Sequence, residues 1–153
     1  MERIAVLVGT ETGNAEDVAD ALVVTLEGAG FEAEALDMED VGPEVFAEEG
    51  AVVVCTSTFG DGELPFNSEE LYEALEDEKL DLGHLSFAVC ALGDSAYPDF
   101  CEAGGIWSRM LNELGAREII SCYEIDEGPD EEDTTGACEW VERAAVEFAA
   151  ALR

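Results

Sequence analysis

The sequence predicts an α/β fold in which helices cover both faces of a doubly wound, five-stranded parallel sheet. Short apolar runs alternate along the chain with amphipathic stretches of helical length. The runs 51–55 and 87–92 are apolar at every position, which is typical of parallel strands buried on both faces. In addition, loops rich in glycine and hydroxyl side chains follow three of the runs.

The elements follow in order from this pattern. The apolar run 4–8 predicts the first strand, and the amphipathic pattern after it predicts a helix over 14–28. Further strands are predicted at 31–36, 51–56, 85–92 and 117–123, and further helices at 67–77, 102–114 and 134–152. Gly42 and Pro43 predict a loop or a single helical turn over 38–49. An acidic loop is predicted over 124–133, after the last strand.

The length of the chain suits one domain. Its 153 residues are enough to bury a single core without disulfides or a structural metal. We find no internal repeat, linker or composition shift, so we expect one domain over 1–153.

The charge is extreme. The chain has 38 acidic and 6 basic residues, a formal net charge of -32, yet 48% of its residues are hydrophobic and they fall in clear runs. Disorder is therefore a poor explanation. A folded chain tolerates such self-repulsion where molar salt shortens the screening length to about 3 Å, so we expect a halophilic protein. An acidic interaction surface in a low-salt cell is the alternative, but the acids are spread along the chain. Nucleic-acid binding by charge is excluded.

The cysteines indicate a reducing compartment. Their number is odd, they form no C-x-x-C pair, and the chain has one histidine, His84, so no metal site is predicted. Cys55, Cys90 and Cys122 lie in apolar runs, where a free thiol behaves as a small hydrophobe. The N-terminus shows no export signal and no apolar segment is long enough to span a bilayer. We expect a cytoplasmic protein that contacts no membrane.

The loop after the first strand has the residue types of an anion site. Main-chain N–H groups at a helix N-terminus, with the hydroxyls of Thr10 and Thr12 and the amide of Asn14, can hold a phosphate without a cation. A P-loop would need lysine where Asn14 stands, and Gly9 and Gly13 do not make a dinucleotide fingerprint. A capped strand-to-helix turn without a ligand remains the alternative.

Two further loops, 56–67 and 93–101, carry aromatic side chains among glycines and hydroxyls. Each could be a turn whose aromatics join the core. In doubly wound sheets, however, ligands bind beyond the carboxyl ends of the strands, where the three loops should meet. Together they indicate a ligand with a planar ring and a phosphate.

At these positions the chain resembles the flavodoxins. The resemblance rests on T-E-T-G-N at 10–14, S-T-F-G-D-G-E-L-P at 57–65 and G-D-S-A-Y-P-D-F-C at 93–101, and it spans essentially the whole chain. It implies the flavodoxin-like strand order 2-1-3-4-5, non-covalent FMN and electron transport. The first loop is also similar to that of the FMN domains of diflavin reductases.

The resemblance also implies which residues bind FMN. Residues 10–14 would hold the phosphate, Ser57 and Thr58 would close on the phosphate or ribityl chain, and Tyr97 would stack on the outer face of the ring. Phe59 stands where many flavodoxins have tryptophan, and the peptide after Gly60 would turn on reduction. Asp94 would lie near the pyrimidine edge, and Cys101 would serve packing rather than chemistry. The full set is Thr10, Glu11, Thr12, Gly13, Asn14, Ser57, Thr58, Phe59, Gly60, Asp61, Gly62, Gly93, Asp94, Tyr97, Phe100 and Cys101.

The expected function is electron transfer, one electron at a time. No nucleophile and base can be paired, because His84 is predicted in a turn far from the three loops, so the cofactor carries the chemistry. Nearby carboxylates would oppose the anionic, fully reduced flavin and keep the second reduction potential well below the first. We expect a monomer that docks through exposed Leu64, Phe66, Tyr97 and Phe100. Its partners would be a separate NAD(P)H- or ferredoxin-dependent reductase and an unidentified electron acceptor.

Three other functions are compatible with an α/β fold of this kind. A phospho-receiver domain needs acids after the first strand, an acceptor Asp after the third and a lysine after the fifth, and the single lysine here is Lys79. An FMN-dependent NAD(P)H:quinone or flavin reductase would oxidise nicotinamide without a partner. An FMN-binding accessory protein for another enzyme would share the cofactor and differ only in its partner. The last two remain open.

Overall fold

Strands and helices alternate along the chain, as the apolar pattern predicted. The structure is a computed structural model that describes residues 2–10, 14–57, 64–93, 101–126 and 134–152. The strands are β1 (Arg3–Gly9), β2 (Glu32–Asp37), β3 (Ala51–Ser57), β4 (Ser86–Gly93), β5 (Arg117–Glu118) and β6 (Tyr123–Asp126). The helices are α1 (Asn14–Gly28), α2 (Glu44–Glu48), α3 (Phe66–Glu78), α4 (Glu102–Glu113) and α5 (Thr134–Ala151), with a 3₁₀ helix at Met38–Asp40.

The sheet is parallel and has the predicted order, β2-β1-β3-β4-β5. The register aligns the carboxyl ends of the inner strands: Gly9 lies beside Thr56, and Ser57 lies beside Leu92. In the adjacent pair, Val8 lies beside Asp37. The order that the resemblance implied is therefore confirmed, and the ends of four strands meet at one edge.

The last strand differs from the prediction of one strand over 117–123. Both β5 and β6 pair with β4, but residues 119–122 lie opposite only residues 88 and 89. The N–H of Ile119 still donates to the carbonyl oxygen of Phe87 in β4 at 3.0 Å, and the ladder is interrupted after it. The carbonyl oxygen of Ser121 accepts a hydrogen bond from the indole N–H of Trp140 at 2.9 Å. An interruption of this kind cannot be predicted from an apolar run in the sequence.

Two apolar clusters, one on each face of the sheet, form the core. Inward-facing residues alternate along the strands: in β3, Val53 packs with α1 and α5, while Val52 and Val54 pack on the other face. On that second face Trp107 of α4 is fully buried and stacks on Phe46, with ring centroids 5.9 Å apart. Burial on both faces explains why these strands are apolar at every position.

Helix α4 lies directly against β4, and one glycine allows this approach. A Cβ atom at Gly104 would lie 2.6 Å from the Cβ of Ala91 and 3.3 Å from Cγ1 of Val89. The next residue, Gly105, faces away from the sheet, and a Cβ there would meet only the guanidinium tip of Arg109 at 3.3 Å. The packing of α4 on the sheet therefore requires a glycine at position 104 but not at position 105.

These neighbours give a matched pair of stability tests. We expect Gly104→Ala to lower the free energy of unfolding by about 1–3 kcal/mol, because α4 must move away from the sheet. Gly105→Ala should raise it by about 0.5–1 kcal/mol, since alanine is the better helix former and Arg109 can move. Urea unfolding of both variants measures the difference, and equal effects would contradict the packing described here.

Candidate functional site

The ends of the three predicted loops lie at the carboxyl edge of the sheet. The loop after β1 begins at Thr10, the loop after β3 follows Ser57, and the loop after β4 follows Gly93. The register places Gly9, Ser57 and Gly93 in adjacent strands at this edge. The topology therefore brings together segments that are more than 80 residues apart in the chain.

Part of the predicted set lies outside the described residues. Those predictions are Glu11, Thr12, Gly13, Thr58, Phe59, Gly60, Asp61, Gly62, Asp94, Tyr97 and Phe100. The structure describes Thr10, Ser57, Gly93 and Cys101, and the main chain of Asn14 at the start of α1.

Ser57, the last residue of β3, presents an unsatisfied hydroxyl at the edge. The residue is only 7% exposed, and its Oγ has no hydrogen-bond partner among the residues that the structure describes. Its carbonyl oxygen accepts a hydrogen bond from Oγ1 of Thr56 at 3.0 Å. A buried hydroxyl without a partner costs about 1–3 kcal/mol. A polar group of a ligand would remove that cost, so the hydroxyl fits a phosphate or polyol ligand.

Two glycines let the main chain approach closely at this edge. A Cβ at Gly9 would lie 3.0 Å from Oγ1 of Thr56 and 3.2 Å from Sδ of Met38. A Cβ at Gly93 would lie 2.7 Å from the main-chain nitrogen of Cys101. The chain that leaves β4 at Gly93 therefore returns directly against it at the start of α4.

Cys101 is buried in the core beside α4. It precedes α4 in the left-handed conformation, with φ 56°, and it is 3% exposed. Its Sγ donates to the carbonyl oxygen of Ala91 at 3.5 Å. Burial raises the pKa of the Cys101 thiol well above its usual range and raises the pKa of Cys122 to about 12. Both thiols therefore stay protonated and unreactive at neutral pH.

The structure corrects the predicted docking surface. Leu64 was expected to be exposed, but it is 9% exposed, because its side chain packs into the α3 and α4 side of the core. The side chain of Phe66, with Tyr97 and Phe100, lies outside the described residues.

His84 precedes β4 at the opposite edge of the sheet, where its Nε2 lies 3.1 Å from the carbonyl oxygen of Phe46.

Asn67, in the first turn of α3, was missed as a site residue. Its Oδ1 accepts a hydrogen bond from the main-chain N–H of Thr10 at 2.9 Å. Its Nδ2 donates to the carbonyl oxygen of Val8 at 3.3 Å and to Oδ1 of Asp37 at 2.8 Å. The sequence shows only an asparagine near a helix start, which usually indicates a cap. Nothing in the sequence indicates that it reaches two other strands.

The three loop sequences at this edge contain no cationic residue. None of the six cationic residues of the chain occurs in residues 9–14, 57–67 or 93–101. Arg3 and Arg117 begin their strands at the opposite edge, and Lys79 follows the far end of α3. Among the described residues, no group of three or more His, Cys, Asp or Glu side chains could hold a metal ion. In the same ranges, no helix has the length and apolarity to cross a membrane.

Known proteins resemble the chain in sequence and in fold. The family model for flavodoxin matches residues 6–140. The sulfite reductase [NADPH] flavoprotein alpha-component of Neisseria meningitidis is 38% identical over 124 residues, which are 80% of this chain and 20% of that protein. The chain thus spans about a fifth of the length of that relative.

Two stand-alone proteins match over nearly their whole length. Flavodoxin YqcA of Pectobacterium carotovorum is 34% identical over 142 residues, which cover 93% of this chain and 94% of that protein. The structure of a cysteine variant of flavodoxin from Pseudomonas aeruginosa superposes with a TM-score of 0.87 at 34% identity, and it covers 96% of this chain and 99% of that one. The motifs, the strand order and these matches lead to one conclusion: the chain belongs to the flavodoxin family of electron carriers, and its cofactor is FMN.

Proposed function

We propose that the protein carries electrons one at a time between a separate NAD(P)H- or ferredoxin-dependent reductase and an acceptor enzyme. The observation that carries this proposal is the edge where three loops leave adjacent strands beside the unsatisfied hydroxyl of Ser57. When bound, FMN accepts and releases the electrons. The chain supplies the binding site, its orientation and its electrostatics.

The residues at the edge fit FMN. Residues 10–14 would hold its phosphate with main-chain N–H groups, hydroxyls and the N-terminus of α1. Ser57 would donate its hydroxyl to the phosphate or the ribityl chain. The ring would lie between the loops 58–63 and 94–100, with Tyr97 on one face. The residue types of the loops at this edge, hydroxyls and main-chain donors without a lysine or arginine, support a ligand that is anionic at one end only.

Acidic residues in the loops at this edge would tune the reduction potentials. Full reduction of FMN would add negative charge near Asp61, Glu63, Asp94 and Asp99, which the resemblance places beside the flavin, and the anionic state would be disfavoured in a partly desolvated site. The two one-electron steps would therefore be well separated, with the second potential lower than the first.

The partners are also part of the proposal. The match of 93% of this chain to 94% of flavodoxin YqcA supports a single flavodoxin-like domain. We propose that this domain acts as a monomer and meets its reductase as a separate protein. The relatives that are NADPH-dependent reductases support a reductase as one partner. We propose a cytoplasmic protein that binds neither nucleic acid nor membranes.

Potentiometric titration of the FMN-loaded protein tests the function. We expect two separate one-electron steps, because the acidic edge disfavours the second. A single two-electron step would contradict the proposal. NADPH or NADH alone should not reduce the protein. Rapid oxidation of either nucleotide without an added reductase would instead support an FMN-dependent quinone or flavin reductase.

Substitution of Ser57 tests the binding site. Ser57→Ala should weaken FMN binding by about tenfold, the effect of one lost hydrogen bond to a charged group. It should leave the free energy of unfolding of the apoprotein unchanged or higher, because the hydroxyl has no partner among the described residues.

Ser86 provides the matched control. It is also 7% exposed, but it begins β4 at the opposite edge of the sheet. Ser86→Ala should leave the FMN dissociation constant unchanged, as measured by flavin fluorescence. Equal losses of affinity in both variants would contradict the assignment of Ser57.

We further propose that the protein is adapted to high salt. Its net charge is -32, and the ion pairs among the described residues involve only Arg3, with Glu34 and Glu49, and Arg109, with Glu102. Most carboxylates therefore have no cationic neighbour and repel one another. Salt at molar concentration screens that repulsion, since the screening length falls from about 10 Å at 0.1 M to about 3 Å at 1 M.

Thermal unfolding tests this adaptation. We expect the melting temperature to rise on the order of 10 °C between 0.1 M and 3 M KCl, which corresponds to a few kcal/mol of relieved repulsion. Sucrose at equal osmolality controls for general exclusion of solutes and should give a smaller rise. Equal melting temperatures at the two KCl concentrations would favour an acidic interaction surface instead.

A further inference from the structure

The side-chain amide of Asn67 links three separate parts of the carboxyl edge. It accepts from the N–H of Thr10 at 2.9 Å and donates to the carbonyl oxygen of Val8 at 3.3 Å. It also donates to Oδ1 of Asp37, the last residue of β2, at 2.8 Å. The partners define which amide atom is which, because a reversed amide would set its oxygen against a carbonyl oxygen and a carboxylate.

The position of Asn67 explains what this linkage does. Val8 and Thr10 flank Gly9, so one side chain holds the main chain on both sides of the point where β1 ends. Helix α3 lies beside this point, since a Cβ at Gly9 would be in ordinary contact with the Cβ of Ser68 at 3.4 Å. The chain therefore enters the segment 10–14 in a direction that α3 determines.

The third partner, Asp37, is itself held in place. Its Oδ1 also accepts the main-chain N–H of Glu39 at 2.8 Å, at the start of the 3₁₀ helix. A hydrogen bond to a carboxylate is stronger than one between neutral groups. The amide of Asn67 is thus anchored on the donor side and presents its oxygen to Thr10.

Capping of its own helix does not account for Asn67. The first turn of α3 is closed by Ser68, whose main-chain N–H and Oγ both donate to the carbonyl oxygen of Pro65 at 2.9 Å. The hydrogen bonds of the Asn67 amide go to β1, β2 and the segment after β1 instead. Its side chain therefore acts between elements.

We propose that Asn67 is a positioning residue for phosphate binding, which rests on the proposed FMN site. Its Oδ1 holds the N–H of Thr10 and so fixes the residue at which the proposed phosphate-binding segment 10–14 begins. Asn67 also follows the ring-binding loop 58–63 in the chain, at the start of α3. We place its role in the orientation of Thr10 and not in a contact with the ligand.

Asn67→Ala tests this role through the choice between two flavins. FMN and riboflavin share the ring and ribityl chain, but only FMN has the phosphate. We expect the dissociation constant of FMN to rise about tenfold or more and that of riboflavin to rise clearly less. Equal effects on the two flavins, or no effect on either, would overturn the proposal, because a general loss of structure does not select for phosphate.

Asn112 in α4 provides the matched control. Its Nδ2 also donates to a carbonyl oxygen, that of Ser108, at 2.9 Å, but it lies on a helix surface and not at the edge. Asn112→Ala should change neither flavin affinity. If Asn67→Ala does not fold, Asp37→Asn provides a second test, because it weakens the hydrogen bond from Nδ2 of Asn67 to the carboxylate. This variant should also lose more affinity for FMN than for riboflavin, but the loss should be smaller.

Hydrogen exchange in the apoprotein separates this proposal from the function itself. In the wild type, the amide proton of Thr10 should be protected, and in Asn67→Ala its protection factor should fall about tenfold. Unchanged protection would overturn the positioning role even if FMN binds. Lost protection in a protein that binds no FMN would instead support the linkage and refute the FMN site.

Discussion

The position of β3 between β1 and β4 is the constraint on which the rest of the molecule depends. Every residue of β3 is buried, and its two faces belong to two different halves of the core. A shift of register by one residue would exchange those faces, so the register is strongly defined. Because the register is defined, Gly9, Ser57 and Gly93 end their strands side by side. The site is a consequence of the core.

The surface and the carboxyl edge of the sheet differ in their charges. The surface carries most of the acidic residues of a chain with a net charge of -32, whereas the core strands carry none. At the carboxyl edge, an anionic ligand must be held without a lysine or arginine nearby. Main-chain N–H groups and hydroxyls can do this because they are oriented dipoles on short groups, which lose little conformational entropy compared with a lysine or arginine side chain. The amide of Asn67 holds Thr10, the residue at which the first of these loops begins.

Much of the architecture could be predicted because its signals are local. The helix over 14–28 has the predicted bounds, β3 ends one residue later than predicted, and β1 and β4 differ from prediction by one residue at each end. The second strand begins one residue later than predicted, since the N–H of Phe31 still bonds to the carbonyl oxygen of Leu26. The division of the last strand could not be predicted, because the partner of Ser121 is an indole on α5. Leu64 shows the same limit, since its burial depends on α3 and α4.

The sequence by itself determined the alternation of elements, the two-sided burial of the sheet and the residue types of the three loops, because each depends on neighbours along the chain. Only the tertiary structure decided which strand ends lie together, that the hydroxyl of Ser57 is buried without a partner among the described residues, and that Asn67 reaches Thr10. These are properties of contacts between residues far apart in the chain. A side chain's hydrogen-bond partner is set by the space around it, and that space exists only when the core has formed.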